Sequence, residues 1–177
     1  MSMSETNKHV TAERITAIAT VIIAVAALWV AVWQGCETRR HNRLSVKPHL
    51  TFLYKKAKGS DFIGLFLFNK GVGPAIVDSF EIYVDNESIA EEGYGGWKTA
   101  IARVGLNEDW IYYYAIRPNN AIEQGEEQVL LGISRSNQTP ELLEKFHKAY
   151  SRIRINIKYK SIYEDSFEAH TKKITKH

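Results

Sequence analysis

FIGLFLFNKGVGPAIVDSFEIYV, residues 62–84, holds two strand-like runs around a shaped interruption, and its reading decides the fold of the larger part of this 177-residue chain. Residues 62–68 are apolar on both faces of an extended chain, the pattern of a strand in the middle of a sandwich. Residues 76–84 return to alternation, with Phe80, Ile82 and Val84 on one face. Between them, Asn69-Lys70-Gly71-Val72-Gly73-Pro74-Ala75 carries two glycines, which permit positive φ, and a proline, which fixes φ and removes a donor. A shaped turn or bulge is expected there. The same glycines do not suit a phosphate cradle, which needs a helix after them and a third glycine; here Pro74 and Ile76 follow.

Working outward, Leu50, Phe52 and Tyr54 alternate with Thr51, Leu53 and Lys55, so a first strand precedes this pair and forms a hairpin with residues 62–68 through Gly59-Ser60-Asp61. After 84 the chain turns at Asp85-Asn86. Residues 87–96 read as an acidic, Gly-rich exposed loop, and 97–104 as a short helix with Trp97, Ala100, Ile101 and Val104 on one side. Residues 110–116 are strongly β in composition, Pro118-Asn119-Asn120 ends them, and 128–133 form another strand. Thr139 caps a helix that Pro140 begins and that runs to Tyr150, with Leu142, Leu143, Phe146 and Tyr150 inward. The cleanest alternation follows: Ile153, Ile155, Ile157 and Tyr159 face the core, and Arg152, Arg154, Asn156, Lys158 and Lys160 face out. Residues 161–165 turn into a last strand with Phe167 and Ala169, and 172–177 form a basic tail. Seven or so strands with one or two short helices predict a mainly-β domain over residues 48–177, an antiparallel β-sandwich with one ordinary core.

Upstream lies a different kind of segment. ITAIATVIIAVAALWVAVW, residues 15–33, contains no charge, Pro or Gly. Nineteen residues of helix rise about 28 Å, close to the ~30 Å apolar core of a bilayer. It is longer than the apolar part of a cleaved signal. Trp33 and Gln34 before Gly35-Cys36 depart from a lipoprotein cleavage site. The organisation expected is a short tail over 1–14, a transmembrane helix over 15–33, a basic juxtamembrane linker over 34–47 and the sandwich. Lys8 and Arg14 before the helix, offset by Glu5 and Glu13, are outweighed by Arg39, Arg40, Arg43 and Lys47 after it. The positive-inside bias therefore leaves the C-terminal domain in the cytoplasm of a bacterium, with the N-terminus outside its inner membrane; a periplasmic domain is the alternative. The four cations would meet anionic headgroups, and Trp29 and Trp33 suit the cytoplasmic boundary. The single Cys36 forms no intrachain disulfide, which suits a reducing compartment. Thr16, Thr20, Ala24, Ala27 and Ala31 share one helix face, a small-residue seam on which two helices can pack closely, so a homo-oligomer is expected.

Asn69-Lys70-Gly71-Val72-Gly73-Pro74-Ala75, with a strand on either side, resembles the Asn-x-Gly-x-Gly-Pro-Ala turn of immunoglobulin-like β-sandwich domains in uncharacterised bacterial single-pass membrane proteins. The run from Arg40 to Pro48 is similar to the connector in some of them. The likeness covers residues 29–84 and implies an immunoglobulin-like architecture only; it carries no catalytic residue over.

Chemistry is sparse. Six histidines are scattered without metal-ligand spacing, and no cofactor is implied. The acidic pairs Glu91-Glu92, Glu108-Asp109 and Glu126-Glu127 fall in expected loops or turns; a membrane-tethered hydrolase would need two of them across a cleft. Residues 145–177 carry nine Lys or Arg against three Asp or Glu, and Arg152, Arg154, Lys158 and Lys160 form a basic outward stripe where Tyr159 and Tyr163 can stack on a base. With a net charge of only +3, a dedicated nucleic-acid binder is disfavoured. The expectation is a membrane-anchored binding or assembly module, not an enzyme, meeting an unknown protein or a small anionic ligand. Its candidate surface comprises Glu91, Glu92, Tyr94 and Trp97 with the basic strand and Tyr163. The alternative is a membrane effector of a bacterial stress or antiphage defence system.

Overall fold

The computed structural model describes residues 3–55 and 61–171, with side chains from residue 13 onward. Gly59 and Ser60 of the expected hairpin turn, the basic tail and the side chains of Lys8 and His9 lie outside the described residues. The chain divides into two units, one up to Leu44 and one from Ser45.

The first unit is a helix, α1 (Met3–Ser45). Its stretch Glu13–Ser45 has a mean hydropathy of 2.6 over its most apolar window and none of that window is buried, so it is long and apolar enough to cross a bilayer. The helix continues past Trp33 to Ser45 and takes in Arg39, Arg40 and Arg43 of the expected 34–47 linker, whereas Lys47 lies beyond its end. Nothing in Gln34 to Ser45 breaks a helix strongly. Glu37 and His41 lie 3.4 Å apart one turn from each other, Arg43 complements the helix C-terminus, and the first breaker is Pro48.

The second unit is a sandwich of two antiparallel sheets. One holds β1 (Leu50–Lys55), β2 (Phe62–Asn69), β7 (Glu127–Ser134) and β5 (Tyr112–Tyr113) in the order β1-β2-β7-β5. The other holds β3 (Ala75–Val84), β4 (Glu87–Ser88), β8 (Ile153–Lys160) and β9 (Ser166–His170) in the order β4-β3-β8-β9, with β6 (Ala121–Ile122) also paired to β3. The expected β1–β2 hairpin is present, in a register from Leu50 opposite Asn69 to Lys55 opposite Gly64. β2 lies between β1 and β7 and is buried from Ile63 to Leu67, which is why it is apolar on both faces. The core gathers Leu65, Leu67, Val77, Leu130, Ile133 and Ile157 from both sheets, closed by Trp97 of α2 (Gly93–Arg103) and Phe146 of α3 (Pro140–Tyr150).

The interruption after β2 carries the chain from one sheet to the other. Neither Gly71 nor Gly73 adopts a positive φ, so their role is close approach. A Cβ on Gly71 would run into the backbone of Lys47 and His49, and one on Gly73 into the Val46 carbonyl. Asn69 closes the same contact, fully buried: its Nδ2 donates to the Gly73 carbonyl at 2.8 Å and the Ile122 carbonyl at 3.0 Å. Its Oδ1 accepts from the His49 N–H at 3.1 Å and the Gly71 N–H at 2.9 Å. The turn thus grips the strand-entry segment Val46 to His49.

Other differences from the sequence reading have local causes. Residues 87–96 are not one loop. Asp85 and Asn86, both at positive φ, make a two-residue hairpin turn into β4. α2 then begins at Gly93, four residues before the expected start, and Gly96 in its first turn leaves room for the close approach of the Glu91 carbonyl. The β-rich run 110–116 contributes only two strand residues, since Trp110 belongs to a 3-10 turn (Glu108–Trp110) whose Asn107 cap accepts from the Asp109 N–H. α3 begins as expected, with the Thr139 hydroxyl accepting from the Leu142 N–H at 3.2 Å and Pro140 in the first turn.

Candidate functional site

The structure divides the expected surface. Trp97 is not on it: the indole is fully buried, and its Nε1–H donates to the Tyr114 carbonyl at 2.9 Å, so the helical spacing that placed it was a core signal. Tyr159 is also buried; it stacks on Phe167 at 5.5 Å and its hydroxyl accepts from the Leu50 N–H, which leaves no face for a base. Tyr163 stays exposed on the turn before β9. Glu91, Glu92 and Tyr94 are exposed together and line a recess of about 560 Å3 with Asp78, Glu81 and Arg117. That recess is mainly acidic and contains none of the basic-strand residues.

β8 alternates as expected, with Ile153, Ile155, Ile157 and Tyr159 buried. Its outward side chains do not form a free basic stripe. Arg152 is bidentate to Asp85, with Nη2 2.6 Å from Oδ2, and this holds the Asp85 carboxyl below the ordinary carboxylate range. Lys160 lies 2.8 Å from Glu164 and 3.9 Å from Asp78, the Glu164 hydrogen bond chiefly raising its pKa. β3 and β9 add further acids, because Glu81 is opposite Asn156 and Glu168 is opposite Lys158. A strand's own alternation shows none of these neighbours.

Around Asn156 these registers build a mixed-charge recess of about 370 Å3, lined by Tyr83, Asn86, Arg154, Asn156, Glu168 and His170. Tyr83 is opposite Arg154, and His170 is opposite Asn156. The Tyr83 hydroxyl donates to Glu81 at 2.7 Å, which raises the phenol pKa. The Oδ1 of Asn156 is buried with no hydrogen-bond partner. Of this set only Arg154 belongs to the residues singled out from the sequence. The one available signal for the rest was a neutral Asn156 among outward cations, and its partners come from strands that sequence does not pair.

The remaining acidic pairs are engaged separately. Glu108 accepts from the Tyr113 hydroxyl at 2.5 Å and pairs with Lys98 at 3.1 Å, and Tyr113, raised first by burial and then by this bond, is pushed up to about 12. Glu127 pairs with Lys55 at 2.5 Å, and Glu126 accepts from the Glu123 N–H. Among the described residues, no group of three His, Cys, Asp or Glu is placed to hold a metal.

On α1, Thr16, Thr20, Ala24, Ala27 and Ala31 are all exposed, and the Thr20 hydroxyl donates to the Thr16 carbonyl at 2.8 Å, so that side of the helix needs no polar partner for it. Arg39, Arg40 and Arg43 lie on the same helix beyond the apolar run, whereas Lys47 belongs to the sandwich, its Nζ 5.3 Å from the Phe167 ring centroid.

A family model described as a domain of unknown function (DUF8453) matches residues 15–175. No curated protein and no solved structure matches the chain.

Proposed function

The chain belongs to the DUF8453 family, whose match takes in the apolar helix as well as the sandwich, and from that premise we propose a single-pass, membrane-anchored recognition or assembly module that is not an enzyme. One observation carries the reading: an unburied apolar helix runs without a break into a basic last third and then meets a separately packed β unit. The cationic end, with Arg39, Arg40 and Arg43, favours the cytoplasmic leaflet, so the sandwich faces the cytoplasm of a bacterium. The Asn69 to Ala75 turn supports kinship with bacterial immunoglobulin-like sandwich domains. Fusion of a phosphatase reporter to the C-terminus tests the orientation. No phosphatase activity is expected, and activity would place the domain in the periplasm.

A second reading is favoured by the exposed small-residue side of α1: copies associate through Thr16, Thr20, Ala24, Ala27 and Ala31, as in a clustering effector of a stress or defence system. Cys36 faces away from that side of the helix and Gln34 lies on it, so Gln34→Cys in a Cys36→Ser background reports this association directly. Oxidative cross-linking in native membranes should give a disulfide dimer whose yield drops several-fold in Ala24→Leu plus Ala27→Leu, and an undiminished yield would refute the seam.

A further inference from the structure

We infer that the open edge of β1 is a self-association surface: a second copy adds its own β1 antiparallel across a two-fold, with Phe52 opposite Tyr54 of that copy. The surface lies in the sandwich and goes beyond the seam on α1. It rests on the anchored reading only for the confinement that brings copies together.

Hydrogen bonding sets the phase of β1. The Lys70 N–H donates to the His49 carbonyl, so His49, Thr51, Leu53 and Lys55 turn their backbone groups toward β2, and Leu50, Phe52 and Tyr54 turn theirs to the open side. The Leu50 N–H is taken there by the Tyr159 hydroxyl. Phe52 and Tyr54 have no backbone partner on that side among the described residues, because β1 pairs only with β2. Their side chains point to the core yet stay half-exposed, and they border an open groove of about 600 Å3 with Tyr150 and Ala169. An edge with free N–H and C=O groups at alternate residues beside uncovered aromatic rings is a template for another strand.

Register selects a second β1 as that strand. A two-fold centred on Leu53 sets Phe52 opposite Tyr54 of the copy and Tyr54 opposite its Phe52, so every free backbone group of these residues is paired. Each Phe52 ring then lies beside a Tyr54 ring, and Leu53 faces Leu53. Lys55 falls opposite Thr51 of the copy, so no like charges oppose each other. The other edges do not offer this. β4, β5 and β6 have two residues each, and β9 has Glu168 at its centre, which a mid-strand two-fold would set against itself. β1 has six residues and one charge, the terminal Lys55. A two-fold along the membrane normal keeps both anchors in one bilayer, where confinement raises the local concentration of this small contact.

Disulfide cross-linking of the full chain in native membranes, in a Cys36→Ser background, tests the register. Residue 53 meets its copy as a non-hydrogen-bonded pair about 4.5 Å apart between Cα atoms, within disulfide reach. Thr51 is displaced from its own copy by about 13 Å along the strands. Leu53→Cys should therefore give a dimer on oxidation, several-fold more than Thr51→Cys on the same strand or Ser166→Cys on the β9 edge. Adding Thr51→Lys to Leu53→Cys sets it against Lys55 of the copy and should lower the yield about two-fold or more, whereas Thr51→Glu should preserve it. The inference is overturned if Leu53→Cys cross-links no better than Thr51→Cys, as it would if another protein's strand filled the edge, if Ser166→Cys cross-links as well, or if Thr51→Lys and Thr51→Glu act alike. Gln34→Cys reports the helix seam and Leu53→Cys the strand edge, so either can fail while the other stands.

Discussion

Asn69 makes four side-chain hydrogen bonds and has no exposed surface, and through them it ties the sheet-to-sheet turn to the backbone entering β1. Asn69→Ala should cost about 3 kcal/mol or more in denaturant unfolding of the full chain, because two carbonyls and two N–H groups lose their partner in a dry site. Asn69→Asp should be nearly as costly, since a carboxylate offers no donor to the Gly73 and Ile122 carbonyls. Tyr159→Phe is milder: it orphans the Leu50 N–H alone, for a loss of about 1 to 2 kcal/mol in the same measurement. From the sequence the turn was legible as a turn, because Gly and Pro restrict backbone geometry locally. What it holds was not, since His49, Ile122 and Glu126 are brought to Asn69 only by folding.

Elements with a strong period were legible nearly to the residue. β8 has an unbroken alternation, α3 adds a local start signal at Thr139-Pro140 to its period, and both appear as expected. Thr139→Ala should lower stability by about 1 kcal/mol through loss of the α3 cap, seen as a lower denaturant midpoint at constant slope. Elements whose existence depends on a neighbour were not legible. β4 and β6 are two residues each and are strands only because the edge of β3 receives them, and the aromatic run 110–116 lost most of its strand to the 3-10 turn at Glu108–Trp110. In α1 the apolar run was plain, but the end of the helix was not, since a basic, polar segment continues a helix as readily as it forms a linker.

At the scale of the whole molecule, several tyrosines give the sandwich an alkaline limit. Burial, with Tyr54 stacked at 4.9 Å, pushes Tyr150 up to about 12, and burial also raises Tyr54 and Tyr159. A folded pKa above the ordinary value near 10 means that the unfolded chain ionises first. The contribution is therefore fully present below about pH 10 and is lost as pH rises toward 12. Melting temperatures should hold to about pH 10 and then fall in step with tyrosinate absorbance, and Tyr150→Phe should flatten part of that fall. Composition and periodicity, which are local, determined by themselves that this chain has an apolar helix followed by a mainly-β domain with an inward face on β8. The tertiary structure decided which side chains are neighbours. It buried Trp97 and Tyr159, paired Arg152 and Lys160 with acids, and set Arg154, Asn156, Glu168 and His170 around one recess. The reason is physical: a strand's own sequence fixes what points outward every second residue, while the charge and hydrogen-bonding environment on that face come from the strands beside it, chosen by registers that no local signal contains.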